Sequence, residues 1–524
     1  MVRAQNNSVF TLLKNESVNL KAEGRGTIQW EKSTDGKEWV SIPGANTKEL
    51  NIIAEENIYL RARFSEGTCD PVYSQSTFVR VRRDQERKNI VFILIDDMGW
   101  KDLGCYGSDY YETPRIDELA SQGVRFTQAY AAHAVCSPTR ASLVTGKYPD
   151  RLHITAFIPG SERDYARLKH PVNWSSYLRM SEITYAEVFR EYGYQTFHAG
   201  KWHLGFLGPE YHGFDHVTDN DYNTIHPEDP KNVMYYTNKT IDFIEAHKDQ
   251  PFIAVVSHNT VHVPLEGKPD LIAKYQAKEP GSNGQNDPTM GAMIEYLDSS
   301  VGILVDKLKE LSLLENTYII FFSDNGGLGS ATSNKPLRSG KSQLYEGGIR
   351  VPMIVTGPGL PGDYLVTWPV ISNDLFPTML SMAGIEQMPD VHSDGLSLLP
   401  LLTAEKRGLD RENLYWYYPH YQTLEPHGVV RSGNWKLIEF YEQGRVELYD
   451  LANDLSESRD LSNTLPDKAL ELKQLLDNHL LRTGAQRTTL NPDYDPSRET
   501  ESHYGDYDYS EYQQPEYLNL IKDN

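Results

Sequence analysis

The sequence predicts an α/β protein whose central sheet is covered by helices on both faces, with smaller β-rich units at either side. Three observations carry that prediction. Four runs are apolar at consecutive positions, where a half-exposed strand would alternate. Amphipathic helical patterns lie between those runs, as in alternating βα units. The chain has 524 residues, too many for one ordinary core.

The first unit runs from the N-terminus to residue 85. It carries short strand-like runs such as Thr27 to Trp30 and Ile58 to Phe64. Asp35-Gly36 between them suggests a tight hairpin, and no helical periodicity competes. These features predict a small β-sandwich with Trp30 in its core. It resembles bacterial immunoglobulin-like modules, although its single cysteine, Cys69, cannot form the inter-sheet disulfide. Arg80 to Lys88 is a charged linker.

Residues 88–405 hold the four apolar runs: Asn89 to Ile95, Phe252 to Val256, Thr317 to Phe322 and Pro352 to Val355. They are expected as buried strands of a parallel sheet. Helical patterns span Ile116 to Gln122, Thr184 to Glu191 and Met293 to Leu311. Residues 406–490 form a C-terminal α+β subdomain. Val429 to Tyr449 reads as two or three antiparallel strands turning at Gly433-Asn434 and Gln443-Gly444, and Leu465 to Leu481 as a closing amphipathic helix. Residues 491–524 are an acidic, tyrosine-rich tail expected to be solvated or draped on the surface.

Composition excludes several roles. With 51 basic and 73 acidic residues the formal net charge is −22, which repels nucleic acid and anionic membranes at long range. An anionic substrate therefore needs a locally cationic pocket. No apolar run is long enough to cross a bilayer, and Met1 to Asn7 shows no apolar stretch of a signal peptide. Three cysteines are too few for a disulfide framework.

Chemistry gathers where the strands end. Asp96-Asp97 follows the first run, Ser257 to His262 the second, and Ser323-Asp324-Asn325-Gly326-Gly327 the third. A shorter run, Gln195 to His198, precedes Gly200-Lys201-Trp202-His203. Ligands bind outside the carboxyl ends of strands in open α/β sheets, so these clusters are expected to share one crevice. An isolated Asp-Asp pair reads as a turn or cap. Three convergent carboxylates with the Asn325 amide oxygen require a cation, and all-oxygen ligation selects Ca²⁺ or Mg²⁺.

Cys136 precedes a short helical pattern with Ser137 as N-cap, Pro138 in the first turn and Gly146 at the end. Backbone N–H groups at that end attract anions, and Arg140 lies one turn in. Cys136 is then an ordinary buried cysteine, a thiolate nucleophile, or the precursor of an oxygen group. A soft thiolate suits a hard-cation pocket poorly.

Cys136-x-Pro138-x-Arg140 matches the maturation motif of the type I sulfatases, members of the alkaline phosphatase superfamily. Ile95 to Gly99, Gly200 to Gly205, His262-Val263-Pro264, Ser323 to Gly326 and Gly340 to Gly348 follow the family order, and the match covers residues 88–480. The resemblance implies an alkaline-phosphatase-like mixed sheet. It also implies conversion of Cys136 to Cα-formylglycine by a formylglycine-generating maturation enzyme, and one Ca²⁺ held by Asp96, Asp97, Asp324, Asn325 and the modified Cys136. Arg140 would hold the hydrated aldehyde, and Lys201 and Lys341 would grip sulfate oxygens. His262, assisted by Lys341, would protonate the leaving alcohol, and His203 would take the proton from the second hydroxyl as sulfate departs. The N-terminal module and the form of Leu337 to Lys341 are similar to exported carbohydrate sulfatases. A sulfated oligo- or polysaccharide substrate and a periplasmic or secreted location are therefore expected. Rim candidates for that substrate are His153, Arg163, His170, His212 and His420, with Arg167, His226 and His427 as further loop positions; His133 and His258 line the pocket or only pack. The competing readings are a phosphate or phosphonate ester hydrolase on the same scaffold, and a glycan-binding protein whose catalysis has lapsed.

Overall fold

The computed structural model describes residues 9–13, 17–67, 70–82, 87–160, 165–218 and 228–498. Cys69, Arg163, His226 and the tail from 499 onward lie outside them. The chain divides into two compact units, Met1–Arg87 and Lys88–Asn524.

In the first unit, strand Ile58–Ser65 buries Ile58, Leu60, Ala62 and Phe64 at alternate positions, the period of a strand with one covered face. It pairs antiparallel with Thr27–Ser33 and Thr77–Arg82, and Val9–Leu13 lies parallel to the latter. A second, two-stranded sheet of Ser17–Lys21 and Glu49–Ile53 adds Val18, Leu20 and Leu50 to the same core. Trp30 is buried there, and its indole N–H donates to the Thr47 carbonyl at 2.9 Å. At the predicted hairpin, the Asp35 carboxylate accepts the N–H groups of Lys37 and Glu38 at 2.8 and 2.9 Å.

Among the described residues the second unit is built on a nine-stranded mixed sheet. Its order is His216–Val217, Gln195–Gly200, Phe252–Ser257, Asn89–Ile95, Thr317–Ser323, Arg350–Thr356, Val124–Tyr130 and Tyr364–Val366, with Val370–Ile371 also beside Val124–Tyr130. The central strand shows why the apolar runs do not alternate. Ile90, Phe92 and Leu94 enter one core, while Val91, Ile93 and Ile95 enter the core on the opposite face. Each such fully buried side chain stabilises the fold by about 1.5–3 kcal/mol.

Strand direction corrects one expectation. Gln195–Gly200, Phe252–Ser257, Asn89–Ile95 and Thr317–Ser323 run parallel, but Arg350–Thr356 is antiparallel to Thr317–Ser323. Helices cover both faces whichever way a strand runs, so burial alone does not encode direction. Val124–Tyr130 is antiparallel in turn to Arg350–Thr356 and shares the direction of the parallel four. His216–Val217, Tyr364–Val366 and Val370–Ile371 share that direction too, so eight of the nine strands run toward one edge of the sheet and Arg350–Thr356 begins there.

The C-terminal sheet has four antiparallel strands, Asn413–Tyr418, His427–Ser432, Trp435–Phe440 and Arg445–Asp450. Helix Pro466–Thr483 packs Leu472, Leu476 and Leu480 against it. The same core takes in Ala134, Val135, Leu344 and Tyr345, which lie next to the segments of Cys136 and Lys341. No helix among the described residues is long and apolar enough to cross a membrane.

Candidate active site

Segments that meet this sheet edge bring chemistry to one place. Helix Cys136–Thr145 starts on Cys136 itself, with Val135 as N-cap and Gly146 closing it in the left-handed region at φ 67°. This corrects the expected start: Ser137 does not cap the helix, and its hydroxyl instead accepts the Ile158 N–H at 3.0 Å. Cys136 Sγ lies 3.4 Å from Asp96 Oδ1 and 3.5 Å from Lys201 Nζ. Burial, with the carboxylates of Asp324 and Asp96, pushes the thiol up, which disfavours a thiolate.

Arg140, one turn into the helix, is buried, and two of its nitrogens are tied by hydrogen bonds. Its Nε donates to Asp324 Oδ2 at 2.8 Å, and its Nη1 to the Lys201 carbonyl and Ser257 Oγ, both at 2.7 Å. Ser257 also donates to that carbonyl at 2.7 Å, so it orients both Arg140 and the start of the Lys201 segment. Sequence reading gave Ser257 no role; its only signal was its place at a strand's carboxyl end.

The lysines sit on the carboxylates. Lys201 Nζ is 2.6 Å from Asp96 Oδ2, and Lys341 Nζ is 2.7 and 2.8 Å from the two oxygens of Asp97. Burial raises the Asp96 pKa, but Lys201, His262 and Arg140 outweigh it and hold the carboxyl well below the usual range. Asp324 goes the other way: burial lifts it to about 6 despite Arg140. Asn325 donates its amide to Asp97 Oδ1 at 2.8 Å, while its buried Oδ1 has no hydrogen-bond partner. Ligand atoms of Asp96, Asp97, Cys136 and His262 lie within 4.8 Å of one another. Three carboxylates and an amide oxygen with nothing to accept from suit a hard cation.

The two candidate proton-transfer histidines have defined tautomers, because a carbonyl can only accept. His203, at φ 60°, donates Nε2–H to the Ile158 carbonyl at 2.5 Å, which leaves its buried Nδ1 unpartnered as an acceptor. Burial and then Lys201 hold it well below the usual histidine value. His262 donates Nδ1–H to the Val263 carbonyl at 2.6 Å, and its Nε2 is 3.7 Å from Asp97.

The expected rim residues divide. His170 stacks on His420 at 5.5 Å, Trp174 packs edge-on against both, and His420 Nε2 is 2.9 Å from Thr155 Oγ1. His153 and Asn173 are 3.3 Å apart and line a small cavity with Thr155 and Trp174. Their loop reaches the centre through Ile158, which bridges Ser137 and His203. Neither His420 nor His212 is at a rim: His420 is buried beneath His170 and Trp174, and His212 is fully buried against Trp202 while Glu210 and Tyr211 of the same turn stay exposed. His427 is buried too, and its Nε2 accepts the Leu344 N–H at 3.4 Å.

The sulfatase family profile matches residues 88–385, and the C-terminal profile of N-sulphoglucosamine sulphohydrolase matches residues 339–486. The chain belongs to the sulfatase family. It is a sulfuric ester hydrolase of the alkaline phosphatase superfamily. A sulfatase of Formosa agariphila is 30% identical over 507 residues, 78% of this chain and 91% of the relative. An N-acetylgalactosamine-6-O-sulfatase of Bacteroides thetaiotaomicron is 27% identical over 510 residues, 76% of this chain and 94% of the relative. The crystal structure of Ps i-CgsB in complex with k-i-k-neocarrahexaose superposes with a TM-score of 0.66 at 25% identity, covering 79% of this chain and 96% of that one. Residues 4–83 match a domain of unknown function.

Burial in this sulfatase has a pH consequence. His133, His198 and His258 are all buried and held near about 3 by desolvation. Folded values below the unfolded one mean that only the unfolded chain gains protons as pH falls below about 6.5. The stabilisation is complete above that pH and is lost toward pH 3, at about 1.4 kcal/mol per pH unit per histidine. In urea unfolding, His198→Phe should reduce the stability lost between pH 6.5 and 5 by about 2 kcal/mol. An unchanged loss would mean that His198 titrates normally in the fold.

Proposed function

We propose that this sulfatase removes sulfate from a carbohydrate ester, using one Ca²⁺ and a Cα-formylglycine made from Cys136. The observation that carries the reading is the setting of Cys136. It stands at a helix N-terminus between Asp96 and Lys201, with no thiolate-stabilising balance, in a pocket whose other donors are carboxylate and amide oxygens with one histidine, His262, beside them. An oxygen group at position 136 suits that pocket; a thiol does not.

Asp96, Asp97, Asp324, Asn325 and the modified residue 136 would hold the cation. When bound, it supplies charge neutralisation at the attacked sulfate and eases loss of a proton from a coordinated hydroxyl. The hydrated aldehyde supplies one hydroxyl to attack sulfur and a second whose deprotonation releases sulfate.

The chain's own residues do the rest. Arg140, fixed by Asp324 and Ser257, brings a permanent charge to within 3.9 Å of Asp96, the carboxylate beside position 136. Lys201 and Lys341 now neutralise Asp96 and Asp97. Lys201 and Lys341 are the ammonium groups that would grip the sulfate oxygens. His262 would act as the imidazolium: with Nδ1–H held by the Val263 carbonyl and the second proton on Nε2, on the side of Asp97, it would donate that proton to the leaving alcohol and end neutral, while the bare Nδ1 of His203 accepts the proton of the second hydroxyl.

The carbohydrate assignment rests on what the relatives act on or bind, and on the histidine and tryptophan rim at 153–174. We further assign the N-terminal unit as an immunoglobulin-like accessory module, and a periplasmic or secreted location suited to polysaccharide substrates.

Protein produced with a formylglycine-generating enzyme tests this. The peptide bearing position 136 should be lighter by the thiol-to-aldehyde change. Sulfate release from sulfated hexosamine and galactan oligosaccharides should exceed phosphate release from matched phosphate esters. Chelation should lower both activity and thermal midpoint, with Ca²⁺ restoring them. Sustained turnover with an intact thiol, or preferred phosphate release, would overturn the assignment.

A further inference from the structure

The loop that carries Lys341 is unusual in its backbone. Ser339 and Ser342, on either side of Lys341, both lie in the left-handed region, at φ 63° and 74°. The loop then doubles back so tightly that a Cβ at Gly348 would sit 1.9 Å from the Gln343 carbonyl oxygen. Such conformations persist only where the surroundings over-determine them. Part of the hold is local: Lys341 N–H donates to the Gly327 carbonyl at 3.0 Å, and Ser342 N–H to the Ala134 carbonyl at 2.8 Å.

The rest comes from the C-terminal sheet. Lys436, on strand Trp435–Phe440, has no exposed side-chain surface. Its Nζ lies 3.0 Å from Glu346 Oε1 and 2.8 Å from Glu457 Oε1, and both glutamates are equally enclosed. Glu457 grips the loop at both ends. Its other carboxylate oxygen accepts the Glu346 N–H at 2.7 Å, and its carbonyl accepts from Arg338 Nη1 at 2.8 Å. Glu457 is itself a left-handed non-glycine residue, at φ 51°. Glu346 Oε2 accepts from the Tyr130 hydroxyl at 2.6 Å and is 3.4 Å from Arg350.

A buried ion-pair cluster is weak evidence for stability, because desolvation offsets the attraction. Fixing one geometry is the better use of such a cluster. We propose that Lys436 and Glu457 are positioning residues for the hydrolysis: they clamp the 338–346 loop so that Lys341 meets the sulfate. This rests on the reading above that Lys341 contacts the substrate.

A double-mutant cycle tests it on the matured, full-length protein with 4-nitrophenyl sulfate as probe. Lys436→Met leaves two buried glutamates short of a cation and is prone to misfold, so Glu457→Gln and Arg338→Met carry the test. Arg338 is at the partly exposed end of the clamp. Each should lower kcat/KM on the order of tenfold, the coupling expected between contacting groups, with a folded thermal transition retained. In a Lys341→Ala background the same substitutions should change kcat/KM less than about twofold, because nothing remains to position. Equal losses in both backgrounds would show that the cluster acts elsewhere and overturn the clamp. An unaltered rate in Lys341→Ala alone would instead remove Lys341 from the substrate, and the clamp's purpose with it.

Discussion

Cys136→Ala is expected to abolish sulfate release, by about 10³-fold or more, while the protein still folds. The two halves of that result come from different physics. Structurally, position 136 is a buried helix start next to Asp96 and Lys201. Removing one thiol there costs about 1 kcal/mol of apolar burial. The Asp96–Lys201 pair, at 2.6 Å, remains intact without it. Chemically, the loss is large, because alanine supplies no atom to attack sulfur beside Asp96 and Lys201. Removing a covalent nucleophile commonly costs several orders of magnitude, and the residual rate reflects the remaining electrostatics alone. Cys136→Ser separates the proposed chemistry from simple nucleophilic attack. A serine hydroxyl can displace the alcohol once but has no second hydroxyl with which to expel sulfate. Single-turnover measurement should show about one alcohol released per protein, and the peptide at 136 should gain the mass of SO₃. Continued turnover by the serine variant would mean that water can release sulfate directly, and that a second hydroxyl is unnecessary.

The site was legible in the sequence to the extent that strand ends are. Asp96, His262 and Asp324 come after continuous apolar runs and Lys201 after the shorter run Gln195 to His198, and parallel strands bring their carboxyl ends to one edge. That rule needs no knowledge of the order of strands. Direction was not legible for Arg350–Thr356, since a strand covered on both faces has the same composition either way round. Strand Asn413–Tyr418 was not predicted although Pro419 closes it directly, because its run of aromatics does not alternate with polar residues, whereas the hairpin at Gly433 was visible from Gly-Asn. His212 misled because a histidine in a glycine-flanked loop gives no sign of its burial. The Lys436, Glu346 and Glu457 cluster was invisible for a further reason. Its members lie on three separate segments, and each taken singly reads as an ordinary surface charge. Only the fold reveals that all three have been taken out of water.

Arg140→Ala should be the most damaging single substitution to stability and activity together. The guanidinium makes three hydrogen bonds of 2.7 to 2.8 Å, to Asp324, the Lys201 carbonyl and Ser257. Removing one partner of a buried charge pair typically destabilises by about 3–5 kcal/mol, since the other charge is left desolvated and unpaired. Asp324 is poorly placed to bear that loss, being lifted to about 6 even with Arg140 in place. Urea unfolding should therefore show a deficit of about 3–5 kcal/mol. Sulfate release should fall by about 10²–10³-fold or more, the usual cost of a preorganised charge at the reacting centre. Arg140→Lys separates the two effects. Lysine restores the charge beside Asp324 but cannot span the Lys201 carbonyl and Ser257 with a fixed fork. It should recover most of the lost stability and little of the lost rate. Parallel recovery of both would assign Arg140 to holding the pocket together, and the catalytic burden at position 136 would then fall on Lys201 and Lys341.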